Sequence, residues 1–336
     1  MLRTRLRARL SRLGAGLSAC LLGASSVGVV AAPPALAAYP NPGLVTGDVT
    51  GVHDPAMVRA PDGTYILIST GDYLAIRTST DRINFRRIGS VWPNGAPWTH
   101  PFTLPSDRGS LWAPDISYRN GRYYLYYSAS SFGSQNSAIF LATSPTAMPG
   151  TWTNHGIVVQ TSSADNYNAI DPNLVVDATG AWWLTFGSFW SGIKMVRIDP
   201  ATGLRHSADR TLYALAQRPS NVSGAVEAPF IVYREGYYYL FVSFDFCCRG
   251  TDSTYRIMVG RATSVTGPYR DRNGVAMTSG GGTEVLASHG EIRGPGHPAL
   301  LADVDGWLLI YHYYTPGTSR LGINLIGWAG GWPAIY

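Results

Sequence analysis

Val52-His53-Asp54-Pro55-Ala56-Met57, followed by Pro61-Asp62-Gly63-Thr64-Tyr65-Ile66-Leu67, sets the pattern of the chain. An acid precedes a proline, a short apolar stretch follows, a tight glycine turn reverses the chain, and an aromatic-rich strand returns. The pattern comes back four times. Aligned on the proline, the copies are Asp54-Pro55, Ala113-Pro114, Asp171-Pro172, Ala228-Pro229 and His297-Pro298, at intervals of 59, 58, 57 and 69 residues. A turn glycine follows each proline: Gly63, Gly121, Gly180, Gly236 and Gly306. Asp-Gly and Asn-Gly are the dipeptides that tight hairpins favour.

After each turn comes an aromatic strand: Tyr65 to Ile68, Tyr123 to Tyr127, Trp182 to Phe186, Tyr237 to Phe241 and Trp307 to Tyr311. A third strand of mixed polarity usually follows, such as Ser137 to Thr143 or Arg256 to Ala262, and short outer segments such as Gly150 to Thr153 complete a unit. No helical period is visible, and β-branched and aromatic residues dominate the apolar segments. A four-stranded unit repeated five times predicts an all-β fold, a five-bladed β-propeller, because each twisted sheet must bury both faces against its neighbours. A two-domain β-sandwich explains the strands but not the five-fold recurrence. The long fourth interval predicts an insertion over one face, from Asp271 to Arg293. For ring closure, Gly43 to Val49 and Trp332 to Tyr336 are the candidates.

The start of the chain reads differently. Arg3, Arg5, Arg7, Arg9 and Arg12 precede an apolar run from Leu13 to Ala32, and Ala35-Leu36-Ala37 is a small-residue cleavage pattern. This predicts a signal peptide over residues 1–38, cut after Ala37 or Ala38, with a single catalytic domain over 39–336 and a secreted product. Reading Leu17-Ser18-Ala19-Cys20 as a lipoprotein box is the rival, disfavoured because the apolar stretch before Cys20 is short. Five of the 26 basic residues lie in the leader, leaving 21 against 21 acidic ones. The mature part is thus neutral, which argues against a nucleic-acid partner. No later run is long and apolar enough to predict a membrane span. Cys247 and Cys248 are adjacent and cannot staple distant loops; a vicinal disulfide and two buried thiols are both open readings.

In a propeller the innermost strands line a central channel, so the residues beside the repeat prolines converge at one mouth. They are Asp54, Ala113 with Asp115 beyond it, Asp171, Ala228 with Glu227 before it, and His297. The plain alternative is that they only start strands. Two carboxyl groups flanking a scissile bond are the machinery of glycoside hydrolysis. One must stay protonated near neutral pH, through burial or a neighbouring like charge. Glu227 lies one blade from Asp171 and two from Asp54. That order predicts Glu227 as general acid, Asp54 as base, and Asp171 as the charge that raises Glu227. Only four glutamates occur, and Glu291 is the one serious rival acid. No metalloprotease, serine-hydrolase or phosphate-loop motif is present.

Val52-His53-Asp54-Pro55, Leu111-Trp112-Ala113-Pro114-Asp115-Ile116, Asn168-Ala169-Ile170-Asp171-Pro172 and Val226-Glu227-Ala228-Pro229-Phe230 resemble glycoside hydrolase family 43. Gly187-Ser188-Phe189-Trp190-Ser191-Gly192, Phe244-Asp245-Phe246-Cys247-Cys248-Arg249-Gly250 and Gly294-Pro295-Gly296-His297-Pro298 are similar, more narrowly, to its arabinan endo-1,5-α-L-arabinosidases. The resemblance implies a five-bladed propeller and an inverting mechanism with the three carboxyl roles given above. It implies arabinan or arabino-oligosaccharides as substrate, bound by a monomer. It also implies a Ca²⁺ or similar cation facing His297, mostly through water. Gly133, Asn168, Ala169, Ile170, Asp171, Ser188, Phe189 and Trp190 are implied to line the sugar subsites together with Asp54. Trp112, Phe132 and Trp190 are further candidates on physical grounds, since sugars pack C–H faces on aromatic rings. Two alternatives remain: an exo-acting arabinanase, α-L-arabinofuranosidase or β-xylosidase on the same scaffold, and a non-catalytic sugar-binding propeller.

Overall fold

The computed structural model describes residues 39–336; the expected signal peptide at 1–38 lies outside the described residues. A two-residue strand, β1 (Thr46–Gly47), precedes five sheets built in chain order. The first is β2 (Ala56–Arg59), β3 (Tyr65–Ser69), β4 (Ala75–Ser79) and β5 (Asn84–Ser90). The second is β6 (Trp112–Arg119), β7 (Arg122–Ala129), β8 (Ser137–Ser144) and β9 (Thr153–Thr161). The third is β10 (Asn173–Val176), β11 (Trp182–Phe186), β12 (Ile193–Ile198) and β13 (Tyr213–Ala216). The fourth is β14 (Val226–Arg234), β15 (Tyr237–Phe244), β16 (Arg256–Ala262) and β17 (Thr283–Leu286). The fifth is β18 (Arg293–Asp303), β19 (Gly306–Thr315), β20 (Thr318–Ala329) and β21 (Trp332–Ile335). Each sheet is an antiparallel meander, and the five are the blades of a β-propeller.

The second strand of each blade explains why the blades pack. Successive side chains of a strand face opposite ways, so an unbroken apolar strand serves two neighbours at once. In β3, Tyr65 and Leu67 pack against blade five while Ile66 and Ile68 pack against blade two. In β15, Tyr239 and Phe241 join blade five while Tyr238, Leu240 and Val242 join blade three. The core is accordingly five clusters, one in each gap between adjacent blades.

Two expectations change. The 271–293 insertion does not cover the face that holds the main cavity: its far part supplies β17, the outer strand of blade four, and none of it lines that cavity. The outer strand of blade two is β9, beginning at Thr153, so Gly150 to Thr151 is the turn before it. Ring closure uses both candidates without sharing a blade. Trp332 to Ile335 completes blade five as β21. The segment from Gly43 to Gly51 lies across the seam: β1 pairs in parallel with β5, while Gly43, Val49 and Gly51 bond to Ile323, Leu321 and Ser319 of β20. Arg82 adds a side-chain clasp, reaching Asp303 at 2.7 Å and Asp305 at 2.6 Å in the blade-five turn.

Candidate active site

The five residues before the repeat prolines share one unusual backbone state. Asp54, Ala113, Asp171, Ala228 and His297 have φ of 46°, 49°, 59°, 55° and 54°. Non-glycine residues rarely adopt the left-handed region, and a following proline disfavours helical conformations further. A side chain of the neighbouring blade holds each amide. Asp54 donates to His312 Nδ1, Ala113 to Thr70, Asp171 to Ser128, and His297 to Ser243. Blade three has Gly187, which carries no side chain, at the corresponding position, and Ala228 donates to the Asp171 carboxylate instead, at 3.1 Å. The strained turn thus recurs in all five blades, and it aims Asp54, Asp171, Glu227 and His297 into one cavity of about 850 Å³.

The carboxyls there differ sharply in environment. Asp54 is buried, which by itself raises its pKa, but His53 and His297 outweigh burial and hold it well below the usual carboxylate range. Its Oδ1 lies 2.9 Å from His53 Nδ1 and 3.1 Å from His297 Nδ1, and Thr70 donates to Oδ2 at 2.6 Å. Glu227 is pushed up, chiefly by burial and further by the Asp54 charge, against hydrogen bonds from Ser188 (2.6 Å) and Tyr255. Asp171 is pushed up well above its usual range by burial and by the charges of Glu227 and Asp54, with His297 opposing. This alters the expected division of labour. Burial and the Asp54 charge, rather than the Asp171 charge, raise Glu227, and Asp171 is itself raised.

The rival acid Glu291 is exposed and away from the cavity. Asp115 does not line the cavity either. It is buried, accepts from Leu174 N and Asn173 Nδ2, and is raised to about 6 by burial. Its work is to join blades two and three.

Trp112, Phe132, Gly133, Asn168, Ile170, Ser188, Phe189 and Trp190 line the cavity, as expected of subsite residues. Ala169 does not; it is fully buried in the core between blades two and three. Phe132 is 83% exposed and Trp190 39%, too open for core residues in a chain that buries most of its aromatics. Asn168 Oδ1 is buried with no hydrogen-bond partner among the described residues. Residues the sequence reading passed over also contribute: Thr70, Tyr255 and Phe246, and Cys247 with Cys248, which are joined by a disulfide. Nothing in the sequence marks Tyr255, which packs so closely on Gly296 that a Cβ there would lie 1.9 Å from its ring.

For a cation at His297 the donor set is narrow. Calcium takes six to eight oxygen ligands. Among the described residues, the one group of three or more His, Cys, Asp or Glu with convergent ligand atoms is His53, Asp54 and His312, without His297. Burial lowers His297, but Asp54, Asp171 and Glu227 raise it to about 9, so the surrounding carboxyls favour positive charge at this point of the cavity. These residues fit a hydrated ion resting on His297 and the surrounding carboxylates, and do not form a calcium cage.

Comparison with known proteins follows the same line. The family described as Glycosyl hydrolases family 43 matches residues 48–333. The extracellular endo-α-(1→5)-L-arabinanase 1 of Bacillus subtilis is 43% identical over 289 residues, covering 84% of this chain and 87% of its own. An endo-arabinanase structure from Bacillus licheniformis superposes with a TM-score of 0.80 at 45% identity, over 87% of this chain and 99% of that one. An exo-1,5-α-L-arabinanase from a bovine ruminal metagenomic library gives the same TM-score, 0.80, at 39% identity over 87% and 99%.

Proposed function

Because the chain belongs to glycosyl hydrolase family 43, we propose that it is a secreted arabinanase that hydrolyses internal α-1,5-L-arabinofuranosidic bonds by inversion. The observation that carries this reading is the opposite tuning of two carboxyls in one cavity, Asp54 shifted well below its ordinary value and Glu227 shifted above its own. Glu227 gives its proton to the leaving oxygen as the glycosidic C–O bond breaks. Asp54 takes a proton from water as the new C–O bond forms on the opposite face of the sugar. Each carboxyl ends in the other's starting state, and solvent restores both. Asp171 holds the Ala228 amide and so the turn that carries Glu227. Asn168, Ser188, Phe132 and Trp190 would receive the sugars, with apolar ring faces against C–H groups. A hydrated Ca²⁺ or similar ion at His297 would add positive charge opposite the three carboxyls; no step above depends on it.

Asp54→Asn and Glu227→Gln, assayed on debranched arabinan, test the roles. Each should lower kcat/KM by about 10²- to 10⁴-fold, and near-normal activity in both would overturn the assignment. Proton NMR of the first-formed anomer tests inversion. The likeness to an exo-acting structure supports a second reading, cleavage from one end. Early products of mixed length mean endo cleavage, whereas a single short product means exo. Loss of cation-dependent thermal stabilisation in His297→Ala would support the ion.

A further inference from the structure

Three imidazoles surround the Asp54 carboxylate, and two of them, His53 and His312, have no part in the chemistry above. His312 is fully buried and stacks on His53 with ring centroids 3.8 Å apart. The Tyr314 hydroxyl joins both rings, at 2.7 Å from His53 Nε2 and 3.2 Å from His312 Nε2. It also receives the Cys248 amide at 2.9 Å.

The proton positions in this group follow from counting donors. The Asp54 amide donates to His312 Nδ1 at 3.1 Å, nearer than the 3.4 Å from that nitrogen to Asp54 Oδ1, so Nδ1 carries the lone pair. The proton of His312 is therefore on Nε2, directed at the Tyr314 oxygen. That oxygen has two lone pairs, and the Cys248 amide and His312 Nε2–H fill both. Its own proton goes to His53 Nε2 at 2.7 Å; the other acceptors near it, Cys248 Sγ at 4.0 Å and the Ser253 hydroxyl, make no contact as short. His53 then carries its proton on Nδ1, which lies 2.9 Å from Asp54 Oδ1. A second proton on His53 would give the Tyr314 oxygen a third donor. The circuit begins at the Asp54 amide and ends at the Asp54 carboxylate, with every group used once.

We propose that Tyr314 is a positioning residue for the base. Its hydroxyl, fixed by the Cys248 amide and His312, selects the His53 tautomer that turns an N–H toward Asp54 Oδ1. That N–H, the His297 ring and the Thr70 hydroxyl hold both carboxylate oxygens in one orientation, so Asp54 meets the attacking water in a fixed rotamer. Without the Tyr314 hydroxyl, His53 is free to adopt the other tautomer and present a lone pair to the carboxylate, and Asp54 turns away. The Cys247–Cys248 pair enters through its backbone: its disulfide-linked turn places the amide that orients Tyr314.

The role of Asp54 as base comes from the proposed function, but the hydrogen-bond circuit is tested apart from it. In ¹⁵N spectra of the histidine rings of the whole protein at neutral pH, His53 is expected as the Nδ1–H tautomer and His312 as Nε2–H. In Tyr314→Phe, kcat should fall at least about tenfold with KM within about twofold, and the His53 signals should move toward the Nε2–H tautomer. A wild-type His53 in the Nε2–H form overturns the proposal, as does a Tyr314→Phe enzyme with kcat within about twofold of wild type. If that variant fails to fold, the wild-type spectrum decides alone. An active Asp54→Asn enzyme with the expected tautomers would sink the catalytic reading and leave the circuit standing.

Discussion

Asp54 and Glu227 are both buried carboxyls, and burial pushes both toward the protonated form; their partners separate them. Asp54 faces imidazoles and Glu227 faces hydroxyls. The pH profile of kcat/KM should therefore rise as Asp54 ionises, below the ordinary Asp value of about 3.9, and fall as Glu227 loses its proton, above about 4.3. The Tyr255 hydroxyl favours the Glu227 carboxylate, so Tyr255→Phe should raise Glu227 and carry the alkaline limb to higher pH. An unmoved limb would remove Tyr255 from the control of that proton. His297 makes a complementary prediction for stability. Its pKa rises from about 6.5 unfolded to about 9 folded. The stability it contributes is complete below the lower value and lost as pH climbs through the upper one. Urea midpoints measured across that window should fall for the wild type and fall less for His297→Asn. At this scale the sequence was informative where the repeat labelled a position. It was silent for His312, Tyr314 and Tyr255, which stand in aromatic-rich stretches where a working ring and a packing ring have the same letters.

The blade is the element that made the fold legible. Its prolines, turn glycines and aromatic strands recur because every blade must solve the same packing problem, so the second strands fell where hydrophobic period and turns placed them. Outer strands were misjudged at blades two and four, since edge strands face solvent on one side and need no distinctive pattern. Two links at blade junctions can be cut. Asp115→Ala strips the acceptor from Leu174 N and Asn173 Nδ2 between blades two and three. Each stranded buried donor costs about 1–3 kcal/mol, so thermal denaturation should show a clear drop in Tm. Gly296→Ala forces a methyl into the Tyr255 ring. It should lower kcat by more than about tenfold by displacing Tyr255 from Glu227, with far-UV circular dichroism unchanged; a fully active variant would mean that Tyr255 yields without consequence.

The whole molecule is a ring whose five gaps are filled alike but whose seam, between blades five and one, carries extra ties. Asp303 is fully buried at its side chain and takes Arg82 and the Tyr65 hydroxyl, both from blade one. Removing one partner of such a pair costs about 3–5 kcal/mol, whereas the half-exposed Asp305 contributes little. Arg82→Ala should therefore lower Tm well beyond Asp305→Ala, and equal effects would show that the buried acid is not the anchor. The sequence named the Gly43 to Val49 segment that lies across this seam but not its arrangement, because a two-residue parallel strand leaves no periodic trace.

That seam also orders events in time. Asn324 donates to the carbonyl of Asn41, 283 residues away, and Gly43 bonds to Ile323, so residues near the start of the described chain find their partners only in blade five. Four blades can stack as they emerge, but the ring has no way to shut until blade five exists. Contacts of such long sequence separation form slowly. Until blade five is folded the chain thus remains an open arc, and that blade, rather than the first, commits it to the closed ring on which the cavity depends.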